Sequence, residues 1–435
     1  MPHRVSTDAT SALAGSAASR RDRILAKLSF FADSLPQRNL KQKGEGNMPA
    51  KNRFAEMHQE ITAWRHHLHE NPELMYEVHE TAAFVVERLK EFGVTDITTG
   101  VGKTGVVAVI EGRTNTSGRA IGLRADMDAL PIPEASGVDY ASKTPGVMHA
   151  CGHDGHTSIL LGAAKYLAET RNFDGKAVLI FQPAEEGGAG GKAMCDDGLM
   201  DRWGIQEVYG LHNMPGLPVG EFAIRPGPLM ASSDEFVITV TGKGGHAAAP
   251  HEAIDTTLAA SQIVVSLHSI VSRNVDPVKR VVLTVGTFET DSTASNVIAH
   301  TAKLQGTVRT LDPEYRTQAG DWVRRVAEST AVAFGAKAEV EWVPGYPVTI
   351  NDENGTVHAV EAAQAVSGKV DAETPPIMPS EDFSYMLEQR PGAYIFLGNG
   401  DTQMCHHPAY VFDDEAIPLG CSWFAELVER RMPAA

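Results

Sequence analysis

The chain has 435 residues, 43 % apolar and 21 % charged, with 55 acidic against 38 basic side chains and four cysteines. This length and composition suit a soluble globular protein of two or three domains and exclude wholesale disorder. A net charge of −17 argues against nucleic-acid and anionic-lipid partners, and four cysteines are too few for a disulfide framework, which implies a reducing, cytoplasmic setting.

In chain order, residues 1–47 stand apart with a net charge of +4 and a Ser-, Ala- and Gln-rich composition. They read as a disordered extension with a short helix over 24–31, and their Arg and Ser content also suits a transit peptide. No apolar core follows the Arg residues, so the segment does not read as a secretory signal. No run later in the chain approaches the ~20 apolar residues of a membrane span. Phe54, Met57, Ile61, Trp64 and Leu68 recur at helical spacing and predict an amphipathic helix over 52–69, stopped at Asn71-Pro72. A second helix fits 78–92, strands fit 106–110 and 120–123, and a third helix fits 158–167. The continuous apolar runs 177–181 and 208–211 suit strands buried on both faces. This alternation predicts a mainly parallel, three-layer α/β/α domain.

The pattern changes near 226. Strands at 235–241, 281–288, 302–309 and 337–343, with helices at 255–272 and 313–334, follow the β-α-β-β-α-β order of a ferredoxin-like sandwich. Helix and strand signals then resume at 354–367, 394–397 and 415–431. The resulting division is an extension (1–47), a first catalytic part (48–227), an inserted lid or dimerisation domain (228–342) and a second catalytic part (343–435).

Chemistry-bearing residues cluster. The string MHACGHDGHT (148–157) puts Cys151 and His153 two apart, so both would point the same way in an extended segment. Either can ligate a divalent metal, with Asp154 and His156 holding them in place. Directly after the 177–181 strand stand Glu185 and Glu186. Adjacent carboxylates at a strand end are costly unless a cation neutralises them, and a metal lets one ligate while the other acts as general base. His212 ends another apolar strand, and His406 and His407 follow the 394–397 strand. Each alone is compatible with a structural role. Together they lie at the C-terminal ends of strands of one parallel sheet, where such folds place their sites.

The strings HLHENPEL (67–74), RADMDALPI (124–132), GVMHACGHDGHT (146–157), FQPAEEGG (181–188), GLHNMPGLPVG (210–220), GKGGHAAAPH (242–251), SNVI (295–298), SEDFSY (380–385) and HHPAYVFDDEA (406–416) make the chain recognisable. It resembles the dinuclear metallo-amidohydrolases of the aminoacylase and carboxypeptidase G type. Within them it is similar to the branch of hippurate hydrolases, N-acyl-amino-acid amidohydrolases and auxin-conjugate hydrolases. The resemblance implies two divalent ions (Zn, Mn, Co or Ni) held by Cys151, His153, Glu186, His212 and His406, with the Cys151 thiolate as the bridge. His406 is preferred over His407 because the branch pattern reads His-x-Pro. It implies Glu185 as general base, His246 as oxyanion stabiliser, often in the partner's site, Asn296 as a substrate-binding residue and Asp126 as a carboxylate behind the ligands. The substrate implied is an N-acyl amino acid, and the assembly a homodimer or higher oligomer.

Three positions depart from the wider family pattern. Arg124 stands where many relatives have a metal-binding His, and it cannot ligate. Ala299 and Pro379 replace a Pro and a Gly, which bears on substrate preference and leaves the ligand set alone. The alternatives are a dipeptidase or aminopeptidase on the same fold, a non-catalytic binding module, and an amidase using Cys151 as nucleophile with His153 or His156 as base.

Overall fold

The computed structural model describes residues 50–434, with side chains from Asn52 onward. The expectations for 1–47, including the helix over 24–31, lie outside the described residues. Helix α1 (Ala50–Glu70) buries the predicted stripe of Phe54, Met57, Ile61, Trp64 and Leu68. Burying each of these side chains contributes roughly 1.5–3 kcal/mol, so the stripe fixes which face of α1 meets the core. Helix α2 (His79–Glu91) follows, then β1 (Asp96–Val101), β2 (Gly105–Glu111) and β3 (Ala120–Asp126). Next come α3 (His153–Thr170), β4 (Lys176–Gln182), the short α4 (Gly190–Asp196), β5 (Glu207–Met214) and β6 (Phe222–Ala223).

A second sheet is built from β7 (Asp234–Thr241), β8 (Val281–Thr290), β9 (Thr301–Thr310) and β10 (Lys337–Pro344). Helices α5 (Thr256–Ser269) and α6 (Pro313–Ala333) lie between these strands in sequence. The chain ends with α7 (Glu353–Val366), β11 (Val370–Asp371), β12 (Gly392–Gly398) and α8 (Ile417–Arg431).

The first sheet runs β1-β2-β4-β3-β5-β12-β6-β11. Its centre, β4-β3-β5-β12, is parallel. The expectation of a mainly parallel sheet holds for that centre and for the β6–β11 pair, while β12–β6 and the β1–β2–β4 side are antiparallel. Strand β2 pairs antiparallel with both β1 and β4. For the β1–β2 pair the cause is local: Val101 and Gly105 face each other across a three-residue turn with Gly102 and Lys103 at positive φ. A turn that short can only return the chain antiparallel. Successive strand residues face opposite layers. Val106, Ala108, Leu179, Leu211 and Ile395 pack under α1, α3 and α8, whereas Val107, Val178, Ile180, Val208 and Tyr394 pack under Met194, Phe383 and Met386. Residues predicted as continuous apolar runs are thus buried on both faces.

The second sheet is antiparallel in the order β8-β9-β7-β10. It has its own core of Phe236, Ile238, Val240, Ile263, Leu267, Leu304, Val323 and Ala327. Asp255 and Asp312 cap α5 and α6, accepting from Leu258 N and Glu314 N. The two chain crossings between the sheets run side by side: Gly227–Met230 pairs with Thr349–Asn351.

Candidate metal centre

The parallel strands aim their C-terminal ends at one place. Asp126 ends β3, Glu185 and Glu186 follow β4, His212 lies in β5, and His406 lies in the loop after β12. Cys151 and His153 do not sit in an extended segment as expected. Gly152 turns the chain at φ +91, and α3 begins at His153, five residues earlier than its apolar pattern indicated. A Cβ at Gly152 would stand 2.4 Å from Asn213 Nδ2 and 2.6 Å from Tyr410 Oη, so no side chain fits there. The polar string after it looks like a solvated loop, yet His153, Asp154 and His156 are all buried. Partners distant in sequence replace water.

Ligand-type atoms of Cys151, His153 and His212 lie within 4.8 Å of one another, and so do those of Cys151, Glu186 and His406. Cys151 belongs to both groups. Its Sγ is 3.4 Å from His212 Nε2, and His406 Nε2 is 3.3 Å from Glu186 Oε1. His407 points elsewhere, with its Nδ1 accepting from Ala409 N. The imidazoles are oriented from behind. His153 Nδ1 donates to Asp128 O at 2.8 Å, and His212 Nδ1 donates to Asn213 O at 2.6 Å. Each ring thereby turns its free Nε2 toward the thiol, the arrangement that metal-binding histidines use. Asp128 also accepts from the backbone N–H groups of Glu185 and Glu186, at 2.9 and 3.0 Å, which fixes the glutamate turn.

His153 Nε2 is buried with no hydrogen-bond partner, and Glu186 Oε1 makes no hydrogen bond and meets only His153 and the exposed His406, at 4.0 and 3.3 Å. Leaving the imidazole nitrogen unpaired costs about 1–3 kcal/mol, and a divalent cation between thiol, imidazole and carboxylate would satisfy it and Glu186 together. The donor set therefore fits two ions sharing Cys151.

Charge in the site is arranged from below. Arg124 is fully buried and donates to Asp126 Oδ2 at 2.6 Å, Glu381 Oε1 at 2.9 Å, Asp382 Oδ1 at 3.0 Å and Gln182 Oε1 at 2.9 Å. Burial alone would raise Asp126, but Arg124, His153 and His156 outweigh it and hold the carboxyl well below its usual range. Burial opposes charge on His153 too, yet Asp126, Asp128 and Glu186 lift it to about 10. Burial, and then Glu381, Glu186 and Asp382, push Glu185 well above the ordinary carboxyl range. The hydrogen bond with Cys405, and then burial, push the Cys151 thiol up as well. A protonated thiol is a poor nucleophile. His156, one candidate base, is occupied by Asp126 at 2.7 Å and Asn213 N at 3.0 Å, which weighs against the Cys-nucleophile alternative.

Two expected placements differ. His156 does stand behind the ligands on Asp126, but Asp154 faces away, toward His69 and Arg65 of α1. His246 and Asn296 lie on an exposed ribbon, Gly245–His246 paired with Val297–Ile298, where Ala247 N donates to Asn296 O at 3.0 Å. Among the described residues neither bonds to the Cys151 cluster. Sequence reasoning missed Asp128, Glu381, Asp382, Tyr394 and Tyr346. Asp128 and the Glu381–Asp382 pair lie inside strings already singled out, RADMDALPI and SEDFSY, which was the available signal. Tyr346 gave none: its hydroxyl donates to Glu185 O and accepts from Gly187 N at 2.8 Å, across 161 and 159 residues.

Comparison with known proteins agrees with this geometry. The model of Peptidase family M20/M25/M40 matches residues 122–430. The chain is 46 % identical to the N-acetyl-L-cysteine deacetylase of Bacillus subtilis (strain 168) over 369 residues, 85 % of this chain and 87 % of that protein. It is 43 % identical to the hippurate hydrolase of Campylobacter jejuni, covering 83 % of this chain and 94 % of that one. The crystal structure of the Bacillus subtilis YXEP protein, described as a dinuclear metal-binding peptidase of family M20, superimposes with a TM-score of 0.76 at 37 % identity, over 87 % of this chain and 99 % of its own. The chain belongs to Peptidase family M20/M25/M40 and is a hydrolase.

Proposed function

We propose that the chain is a metal-dependent amidohydrolase that cleaves N-acyl amino acids, of the hippurate or N-acetyl type, to a carboxylic acid and a free amino acid. The observation that carries this reading is the shared thiol: two ligand groups meet at Cys151, with Glu185 beside them. Cys151, His153 and His212 would hold one ion, and Cys151, Glu186 and His406 the other. Bound there, two divalent ions of the Zn, Mn, Co or Ni class would acidify water and polarise the amide carbonyl. The upward-shifted Glu185 suits a group that takes a proton from attacking water and returns it to the departing nitrogen. Tyr346 and Asp128 hold the turn that carries it.

His246 stabilises the oxyanion and Asn296 binds substrate after the segment 228–342 moves on its two crossings, or after a second copy docks. A docking edge exists: β8 ends the second sheet, with Val282 and Phe288 exposed on it and Leu258 and Val265 exposed on α5. A homodimer through this edge is therefore part of the reading. No described helix is long and apolar enough to cross a membrane. A cytoplasmic location is part of this reading, and the four free cysteines suit it.

A panel of N-acetyl and N-benzoyl amino acids against free dipeptides, with chelated and metal-restored enzyme, tests this function. Turnover of the acyl amino acids that chelator abolishes and Mn²⁺ or Zn²⁺ restores is expected. Preference for free dipeptides would instead establish the dipeptidase alternative.

A further inference from the structure

Helix α1 supplies none of the candidate ligands, yet two of its buried side chains hold the segments that do. Arg65 is fully buried. Its Nε and Nη2 donate to Asp414 Oδ1 and Oδ2 at 2.8 and 2.9 Å, and its Nη1 stands 3.6 Å from Asp154 Oδ2. Asp154 directly follows His153, and Asp414 lies in the segment that runs on from His406. One guanidinium thus joins the carriers of both histidines.

His69, one turn further on, repeats the pattern. Its Nδ1 donates to Asp154 Oδ2 at 2.8 Å, and its Nε2 donates to Glu134 Oε1 at 3.2 Å. Glu134 also accepts from Ser142 N at 2.6 Å, and the neighbouring Ala135 N donates to Pro408 O at 2.8 Å. The loop of 127–150 is thereby tied to the loop of His406. Tyr140 covers the assembly, with the Arg65 guanidinium 4.3 Å from its ring centroid.

Burying a guanidinium costs several kcal/mol unless charged partners surround it closely. A scaffold that needed only packing would be served as well by apolar side chains. A planar two-pronged donor fixes direction as well as distance, and metal sites tolerate only about ±0.2 Å in ligand position.

We propose that Arg65 and His69 are positioning residues of the metal centre, clasping the start of α3 and the His406 loop so that His153 and His406 face Cys151 at the spacing two ions require. This inference rests on the ligand assignment above.

The full chain tests it by titration of the metal-free enzyme with Co²⁺, following affinity, stoichiometry and the thiolate-to-cobalt absorption band. Arg65→Met and His69→Gln should each weaken binding of at least one ion by about 10–100-fold and alter the band. Arg65→Lys, which keeps the charge but loses the fork, should fall between wild type and Arg65→Met. If Arg65→Met does not fold, Asp414→Asn breaks the same clasp at its half-buried end and should disturb the ion held by His406. A lower melting temperature of the metal-free protein with unchanged Co²⁺ affinity and band would overturn the proposal, leaving a purely structural clasp. Cys151→Ser separates the two levels. If it leaves both affinity and band unchanged, the ligand assignment itself has failed.

Discussion

The two places that bear candidate functional residues are built in opposite ways. At the C-terminal ends of β3, β4 and β5 the groups are buried or half-buried and oriented from behind: His153 by Asp128, His212 by Asn213 O, and Asp126 by Arg124 and His156, while the exposed His406 after β12 faces Glu186. On the separate two-stranded ribbon, His246 is exposed, and its only described side-chain bond is to Ala248 N at 3.1 Å. The contrast teaches that one half of the proposed chemistry is pre-organised within the fold. The other half depends on an approach, by hinge or by a partner, that ordinary surface contacts leave free. Pre-organisation has a thermodynamic counterpart, since the buried end concentrates carboxylates that only internal cations make tolerable.

The comparison can be broken most directly at Glu185. Glu185→Gln should lower kcat by roughly 10²–10⁴-fold while metal content stays near two per chain. Steady-state kinetics with elemental analysis checks it, and substantial residual activity would remove Glu185 as general base. Next in size is Arg124→Met, which strands Asp126, Glu381 and Asp382 without their shared cation. It should cost about 3–5 kcal/mol of stability in denaturant titration of the metal-free protein.

On the exposed side, His246→Ala should lower kcat by about 10²–10³-fold without changing metal stoichiometry or stability. Mixing it with Glu185→Gln sharpens the point. If His246 serves the neighbouring site, random reassociation of the two inactive dimers should restore about a quarter of wild-type activity. No restoration, with subunit exchange demonstrated, would place His246 in its own chain's site.

The smallest effect expected depends on pH. His69 is opposed by burial but lifted by Asp154 and Glu134 to about 9 from an ordinary 6.5, against the lowering influence of Arg65. Its folded value lies above its unfolded one, so its stabilisation is complete below pH 6.5 and fades as pH rises through 9. His69→Gln should be less stable than wild type by at most roughly 3 kcal/mol near pH 6, and the gap should narrow toward pH 10. Urea midpoints across that range decide it. A gap that stays constant would show that His69 is not held as the imidazolium.

Much of this was legible in the chain. The stripe of α1, the apolar runs of β4 and β5 and the strand order of the second sheet follow from side-chain period, because burying apolar surface is non-directional and leaves a regular trace. The candidates Glu185, Glu186 and His212 were also readable at the ends of such runs, and Cys151, His153 and His406 from their dense Cys- and His-bearing strings. The start of α3 was not. Its first turn is polar, and it is buried only because Asp126, Asp128, His69 and Asn213 arrive from elsewhere to meet it. Arg124 was seen only as a residue unable to ligate, and its service to the Glu381–Asp382 pair, more than 250 residues away, leaves no local pattern.

By itself, then, the sequence determined most of the strands and helices and marked the candidate chemistry-bearing side chains, since these depend on neighbours within a few residues. Only the tertiary structure decided that Cys151 lies between two ligand groups, that His406 and not His407 faces Glu186, and that, among the described residues, neither His246 nor Asn296 bonds to that cluster. Those outcomes depend on hydrogen bonds and ion pairs across tens to hundreds of residues. Such directional contacts are set by where the packed sheet brings the chain together, and no spacing along the sequence encodes that.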